Sequence, residues 1–323
     1  MIPLLQQIGA KTYSTIQFSE QSSEIFMPFN SLEIFQQREI VVPKTLLHGR
    51  NANRPIRDSI NNIGQSYLPV DTNSFCYYLY ALLGDFQDVT AENDYKYHYL
   101  FYMSEDIPEF ILRKYYADLK RVEIFNECTL DDLDIVFGGE ESELVTLGNL
   151  RAVTASTSVF SQEPNIYYPE CKTLNPQLFT ASINGVIFNS VYVGEILFSN
   201  NVLYQEYPVG KHNEAINASL GVVQCGGYLV VLLDNIDQYL DVMSQHTVSI
   251  EIELRRDNKK DGEYVKFIFP EAIVKIDSSL IQNQEGLVLN LEWVAFYEKG
   301  DIESTMLVEV KTDEKFLITK EET

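Results

Sequence analysis

The sequence predicts a mainly β protein that is a tandem repeat of one small fold in two domains. Three observations support this fold class. The 323 residues include 20 Tyr and 18 Phe, and aromatic residues favour strands. Many segments alternate apolar and polar residues, as half-buried strands do, and Thr247–Arg255 is the clearest example. One strand–turn–helix pattern also occurs twice, about one domain length apart.

The first copy of this pattern spans Ile60–Gly84. Its beginning alternates as a strand does, and Val70–Asn73 is a polar turn that can cap a helix. Apolar residues then recur at helical spacing until Gly84 ends the run: Phe75, Leu79, Leu82 and Leu83. We therefore expect a strand followed by a short helix.

The second copy spans Ile216–Leu240. It predicts a strand, a break at Gly226 and Gly227, an apolar run, and a helix capped by Asp234 or Asn235. The buried stripe of that helix comprises Ile236, Tyr239, Leu240 and Met243.

The division into domains follows from length and from one stretch of low periodicity. A chain of 323 residues suggests two domains. Thr154–Pro176 is rich in Ser, Thr and Pro and predicts a linker, with the boundary near Ala155–Glu163. The domains would be 1–155, with an N-terminal arm, and 156–323, with a C-terminal arm over Glu298–Thr323.

Each predicted domain contains a polar hairpin loop before its strand–turn–helix pattern. These loops are Gly49–Arg57, which is locally basic, and Pro208–Glu214. Long polar hairpins depend on neighbours for stability, so we expect them at contacts between subunits. The candidate residues are Arg50, Asn53, Arg54, Arg57, Lys211, His212 and Glu214.

The charge argues against direct binding of phosphate groups. The net charge is -23, whereas phosphate binding needs surplus Lys and Arg. One segment is especially acidic: Glu123, Glu127, Asp131, Asp132, Asp134, Glu140, Glu141 and Glu143. These carboxylates could perform acid–base chemistry, hold calcium or simply face solvent. The third interpretation is favoured, because neither a catalytic partner set nor a calcium-loop spacing accompanies them.

No motif predicts an enzyme. The sequence contains no GxGxxG, Walker, HExxH or GxSxG pattern. The four His residues are scattered, and the four Cys residues form no CxxC pair, which predicts free thiols. No apolar run reaches membrane-spanning length. We therefore expect no catalytic residue, no cofactor, no metal site and no membrane contact.

Several of these stretches resemble the tail tube proteins of long-tailed bacteriophages. The segments that carry the resemblance are Thr45–Gly64, Leu68–Gly84, Tyr95–Leu100, Ala117–Leu130 and Ala181–Val209. The first is similar to the family's long inner hairpin, and the second to its turn into a helix that ends in Leu-Leu-Gly.

The resemblance implies a structural protein of the virion tail, synthesised in the bacterial host cytoplasm. Each domain would be a β-sandwich or rolled sheet with a flanking short helix and a long inner hairpin. Neighbouring copies would form a barrel around a lumen through which DNA passes, without specific binding, during ejection. The partners would be other tail proteins and the chain itself, as a trimer with pseudo-six-fold symmetry or a hexamer, in stacked rings. The basic loop Arg50–Arg57 departs from a uniformly acidic lumen and could bind part of Asp131–Glu143 on the next ring.

Two alternatives remain open at this point. The chain could be another tail ring component, such as a distal tail or tail completion protein. It could instead be a β-sandwich carbohydrate-binding or adhesin module, in which Tyr95, Tyr97 and Tyr99 share one strand face.

Overall fold

The fold is mainly β, as the sequence predicts. A computed structural model describes residues 12–318 except 20, 22, 42–55, 92–93, 141–142, 161–163, 189, 206–215, 233–246, 260, 281–287 and 298–303. The described residues form strands β1 to β21 and one helix, α1.

The elements of the first half are β1 Thr12–Phe18, β2 Glu24–Met27, β3 Ser31–Val41, β4 Ile56–Pro69, α1 Ser74–Leu83, β5 Gly84–Asp88, β6 Tyr97–Met103, β7 Phe110–Tyr116, β8 Arg121–Leu130, β9 Asp132–Gly138, β10 Val145–Val159 and β11 Ile166–Tyr167. Those of the second half are β12 Phe179–Ile183, β13 Val186–Phe188, β14 Val191–Ser199, β15 Leu203–Gln205, β16 Ile216–Ser219, β17 Gln224–Leu232, β18 Val248–Arg255, β19 Tyr264–Leu280, β20 Val288–Ala295 and β21 Leu307–Thr312.

Two sets of strands are paired in the same order, so the predicted duplication is present in the topology. The first set, here the first copy, runs β2-β1-β7-β8-β10-β4-β3. The second copy runs β13-β12-β18-β19-β20-β17-β14. Every neighbouring pair in both sets is antiparallel.

The equivalence of the two copies extends to single residues. Ile34 of β3 lies opposite Gly64 of β4, and Ile196 of β14 lies opposite Gly227 of β17. A Cβ atom on Gly64 would lie 2.2 Å from the carbonyl oxygen of the glutamate before the isoleucine. On Gly227 the corresponding distance is 2.0 Å. Only glycine fits either position, because any side chain would collide with the neighbouring backbone.

Strand β9 joins the two copies. It pairs with β10 on one side and with β14 on the other. The result is a continuous run of eight strands, β3-β4-β10-β9-β14-β17-β20-β19. The linker predicted at Thr154–Pro176 begins too early in the chain, because Thr154–Val159 belongs to β10 and pairs with β8. The proposed boundary between 155 and 156 thus falls inside a strand, and the division into two domains stays a prediction.

Two further expectations are corrected by the structure. Gly226 and Gly227 do not break the chain, because both lie inside β17. The predicted C-terminal arm is wrong over Leu307–Phe316, since β21 pairs with β6 and β19 and Phe316 is buried. The ring of Phe316 contacts five aromatic rings of the first half: Tyr77, Tyr80, Phe86, Tyr99 and Phe101. The helix predicted after Asp234 lies outside the described residues.

An ion cluster gives a further link between the copies. Glu263 precedes β19 and is only 5% exposed. Its carboxylate lies 3.0 Å from Arg256, 3.5 Å from Lys172 and 3.7 Å from Lys96. Lys172 also pairs with Asp313. Segments from four parts of the chain therefore meet at one buried carboxylate, which is stable only while its cations remain in place.

The helix predicted in the first copy is confirmed, and a buried carboxylate begins it. Asp71 accepts hydrogen bonds from the backbone N–H groups of Asn73 (2.6 Å) and Ser74 (2.7 Å) and from the Ser74 hydroxyl. Burial raises the pKa of Asp71. Gly84 ends the helix in the left-handed conformation, with φ of 96°.

We predict that Asp71→Ala lowers the free energy of unfolding by about 2 to 3 kcal/mol, because buried donors at the helix start lose their acceptor. The matched control is Asp88→Ala, which removes a comparable side-chain bond to the Thr90 N–H in an exposed loop. The control substitution should lower the free energy of unfolding by less than about 0.5 kcal/mol. Urea denaturation of both variants measures the difference, and equal losses would contradict the prediction.

Candidate assembly surface

The predicted hairpin residues are mostly beyond the described part of the chain. Arg50, Asn53 and Arg54, and likewise Lys211, His212 and Glu214, lie in ranges that the structure does not describe. Arg57 lies in β4, and its backbone pairs with that of Ile40. The structure therefore does not assemble these residues into a site.

The stems of both predicted hairpins are confirmed. β3 and β4 pair as far as Val41 and Ile56, and β15 pairs with β16. The pairing of β4 with β10 ends at Asn62. Among the described residues, the stem beyond that point consists of β3 and β4 alone. A two-stranded ribbon is only marginally stable by itself, so this stem would gain stability from a neighbouring molecule.

One sheet edge is filled in the second copy and open in the first. β14 pairs with β17 on one side and with β9 on the other, over Val193–Ser199. Its equivalent, β3, pairs within the described residues only with β4. The outer edge of β3 thus presents backbone N–H and C=O groups at the position that β9 occupies in the second copy, and such an edge is a template for another strand.

The sequence contains a signal for this equivalence that the periodicity analysis missed. Leu32–Phe35 reads LEIF and Gly194–Leu197 reads GEIL. In both segments the isoleucine is buried and the next residue is exposed, by 55% for Phe35 and 42% for Leu197.

One face of the eight-stranded run carries a row of mostly apolar side chains, which are exposed except for the half-buried Leu147. Direct strand pairing places these residues side by side across seven strands: Tyr67, Leu147, Asp134, Leu197, Gly226, Val294 and Ile273. Only Asp134 and Gly226 interrupt the apolar character of the row. Gly226 leaves a gap in the side chains, and a groove of about 800 Å³ lies across this part of the face.

Carboxylates from both copies line this groove. Asp134 of β9 and Glu195 of β14 lie on the same face of adjacent strands, because Asp134 lies opposite Leu197, two residues along β14 from Glu195. Burial, and then the charge of Asp132, raises the pKa of Asp134. Burial, and then the charge of Asp134, raises the pKa of Glu195. The described residues that line the groove include no His, Lys or Arg, so no cation there offsets the charge of the two carboxylates.

This carboxyl pair offers no complete site for chemistry. The described residues contain no group of three or more potential metal ligands. On the same face, Glu292 lies 3.4 Å from Lys275 and is an ordinary exposed ion pair. The described acidic residues between 123 and 143 are distributed over two strands and the connections beside them, and no metal-binding group was found among them.

The tyrosines considered for sugar binding do not share an exposed face. Tyr99 is 2% exposed, and Tyr97 stacks on it with ring centroids 6.2 Å apart. Tyr95 is fully exposed and precedes β6. In the same strand, His98 Nε2 lies 3.1 Å from Asp94 Oδ2.

Comparison with protein-family models and with curated proteins finds no match for this chain. Within the described residues, no helix has the length and apolar character needed to cross a membrane. The four cysteines are free, as predicted.

We predict that Glu195→Gln stabilises the protein near neutral pH. A carboxyl group with a raised pKa in the folded state contributes stability at low pH that is lost as the pH rises through that pKa. The amide removes this loss. The free energy of unfolding of the variant should therefore exceed that of the wild type by up to about 1 kcal/mol at about pH 8, after allowance for solvent screening. This difference in the free energy of unfolding should become smaller as the pH falls towards about 4.

Thermal unfolding across this pH range tests the prediction. Glu292→Gln is the control, because it removes a charge from the same face but one that Lys275 already pairs. A Glu195→Gln variant that is less stable than the wild type at every pH would contradict the prediction.

Proposed function

We propose that this chain is a structural subunit of a bacteriophage tail tube, and that its copies close into stacked rings. The observation that carries the proposal is the junction inside the chain. The first copy donates β9 to the edge strand β14 of the second copy, while the equivalent edge strand β3 has no second partner in the described residues. The contact is head-to-tail, and repeating such a contact closes a ring when the rotation allows.

The stoichiometry follows from the duplication. Each chain supplies two equivalent sheets, so three chains would provide six sheets with pseudo-six-fold symmetry. A ring of six chains is the alternative. Either arrangement would extend the eight-stranded run into a cylinder in which no β3 edge remains exposed.

The charge of the run's exposed face supports a passage for DNA that does not bind it. Its described residues include five carboxylates and two cations: Glu33, Asp132, Asp134, Glu195 and Glu292, against Arg151 and Lys275. Phosphate groups are repelled by such a surface. In this proposal the chain is located in the virion tail and contacts itself and other tail proteins.

The alternatives differ in what they predict for assembly. A distal tail or tail completion protein would form a single ring that does not stack. A carbohydrate-binding or adhesin module would function as a monomer, and the burial of Tyr99 removes the tyrosine face on which that alternative rested.

We predict that the purified chain forms rings at high concentration, because open strand edges pair when they meet. Mass photometry gives the number of chains, and negative-stain microscopy separates single rings from stacked tubes. Monomers alone at high concentration would rule out the proposal, and binding on a glycan array that Tyr97→Ala abolishes would replace it with the carbohydrate alternative.

We predict that Phe35→Asp weakens assembly without unfolding the monomer. Phe35 is exposed on the open edge strand, and a charge there would have to lose water when a strand is added. Leu119→Asp is the control, since Leu119 is 65% exposed in the turn between β7 and β8. The protein concentration at which half of the chains are assembled should rise for Phe35→Asp and stay unchanged for Leu119→Asp. An equal effect of the two substitutions would count against β3 as the contact.

A further inference from the structure

The amine of Lys172 is largely buried and contacts three carboxylates. Its side chain is 10% exposed, against 22% for Lys266, which forms an ion pair elsewhere in the second copy. The Nζ atom lies 3.4 Å from Glu170 and 3.5 Å from Glu263, and it donates a hydrogen bond to Asp313. An amine and several carboxyl groups are therefore confined together with little access to water.

Both sides of this contact are fixed by bonds of neighbouring residues. Two residues after the lysine, the N–H of Leu174 donates to the carbonyl oxygen of Val70 at 3.0 Å. Next to the aspartate, the Glu314 carboxylate accepts a hydrogen bond of 3.0 Å from the N–H of Glu170. The fold itself thus brings the amine and the carboxylate together, and reacting groups held in this way have the advantage of an intramolecular reaction.

Glu263 does not depend on Lys172 for its cations. Its carboxylate, which is 5% exposed, also lies 3.0 Å from Arg256 and 3.7 Å from Lys96. The buried carboxylate would therefore still be paired after Lys172 had lost its charge. A carboxylate beside an amine can accept a proton from it and return that proton to a leaving group.

We propose that Lys172 and Asp313 form an amide bond within the chain, and that Glu263 transfers the proton. The bond would join the segment between β11 and β12 to the residue that follows β21, across 141 residues of sequence. A covalent loop restricts the unfolded chain, as a disulfide does. The inference stands apart from the proposed ring, because both reacting residues belong to one chain.

The atoms balance without an added reagent. Burial disfavours both charges, but the contact between the two groups raises the pKa of Lys172 and lowers that of Asp313, so the pair rests in its ionised form. Transfer of one proton within the pair gives an amine and a carboxylic acid. The amine nitrogen then bonds to Cγ of Asp313, and Glu263 takes the proton that the nitrogen loses. That proton leaves with the hydroxyl group of Asp313 as water when the C–O bond breaks, and Glu263 is again a carboxylate.

Intact-protein mass spectrometry of the purified full-length chain tests the proposal. The mass should be lower than that of the sequence by one water molecule, and a protease digest should contain a branched peptide that joins Lys172 to Asp313. Lys172→Arg keeps the positive charge but has no amine to react, so this variant should have the full sequence mass. Glu263→Gln should form the bond more slowly by roughly 100-fold or more, because its amide does not accept the proton.

Lys266→Arg is the matched control, because Lys266 lies 2.8 Å from Glu251 and outside the cluster. This variant should lose water as the wild type does. A wild-type chain that keeps its full sequence mass after prolonged incubation would overturn the proposal, whether or not the variants fold.

Two other outcomes would also overturn it. A loss of water that persists in Lys172→Arg would come from a different dehydration of the chain. A branched peptide that contains Glu170 instead of Asp313 would show that the acceptor is the more exposed carboxylate, whose side chain is 74% exposed against 42%. All of these measurements concern single chains, so their failure would leave the ring proposal standing.

Discussion

The architecture depends on the requirement that strand edges be hydrogen-bonded. A strand at the border of a sheet leaves one row of backbone donors and acceptors without protein partners. Inside this chain the requirement is met by β9, which leaves the first copy and completes the border of the second at β14. The same ladder fixes the register between the copies, because a slip of one residue would turn Ile196 out of the core. The apolar row and the acidic groove both result from that register.

The copies are also held together away from this ladder. β21 pairs with β6 of the first half and β19 of the second, and Glu263 gathers cations from three segments. Such contacts connect the two halves of the chain at several places besides the β9 ladder. A rigid pair of sheets is a better building unit for a closed ring, because the angle between neighbours is already set before subunits meet.

Local periodicity was sufficient to predict the elements but not their pairing. The strand and helix of Ile60–Gly84 follow directly from spacing, since both depend on near neighbours in sequence. Gly227 predicts a break because glycine often interrupts a strand pattern. In the structure Gly227 lies inside a strand, and its lack of a side chain lets the backbone of Glu195 approach. β21 was assigned to an arm, although Leu307–Thr312 alternates, because its outward Glu309 and Lys311 suggested a solvated tail. The role of β9 could not be predicted, because which distant edge a strand completes is not encoded in its own pattern.

The position of Phe316 has a consequence for biosynthesis. Its ring fills the space between the helix and the aromatic strand of the first copy, yet it is among the last described residues to leave the ribosome. The first copy emerges early and can form its ladders, but its aromatic interior stays uncovered until the second copy has been made. A translation product that ends before β21 would expose aromatic side chains of the first copy together with unpaired strand edges. Such a fragment would be prone to aggregation.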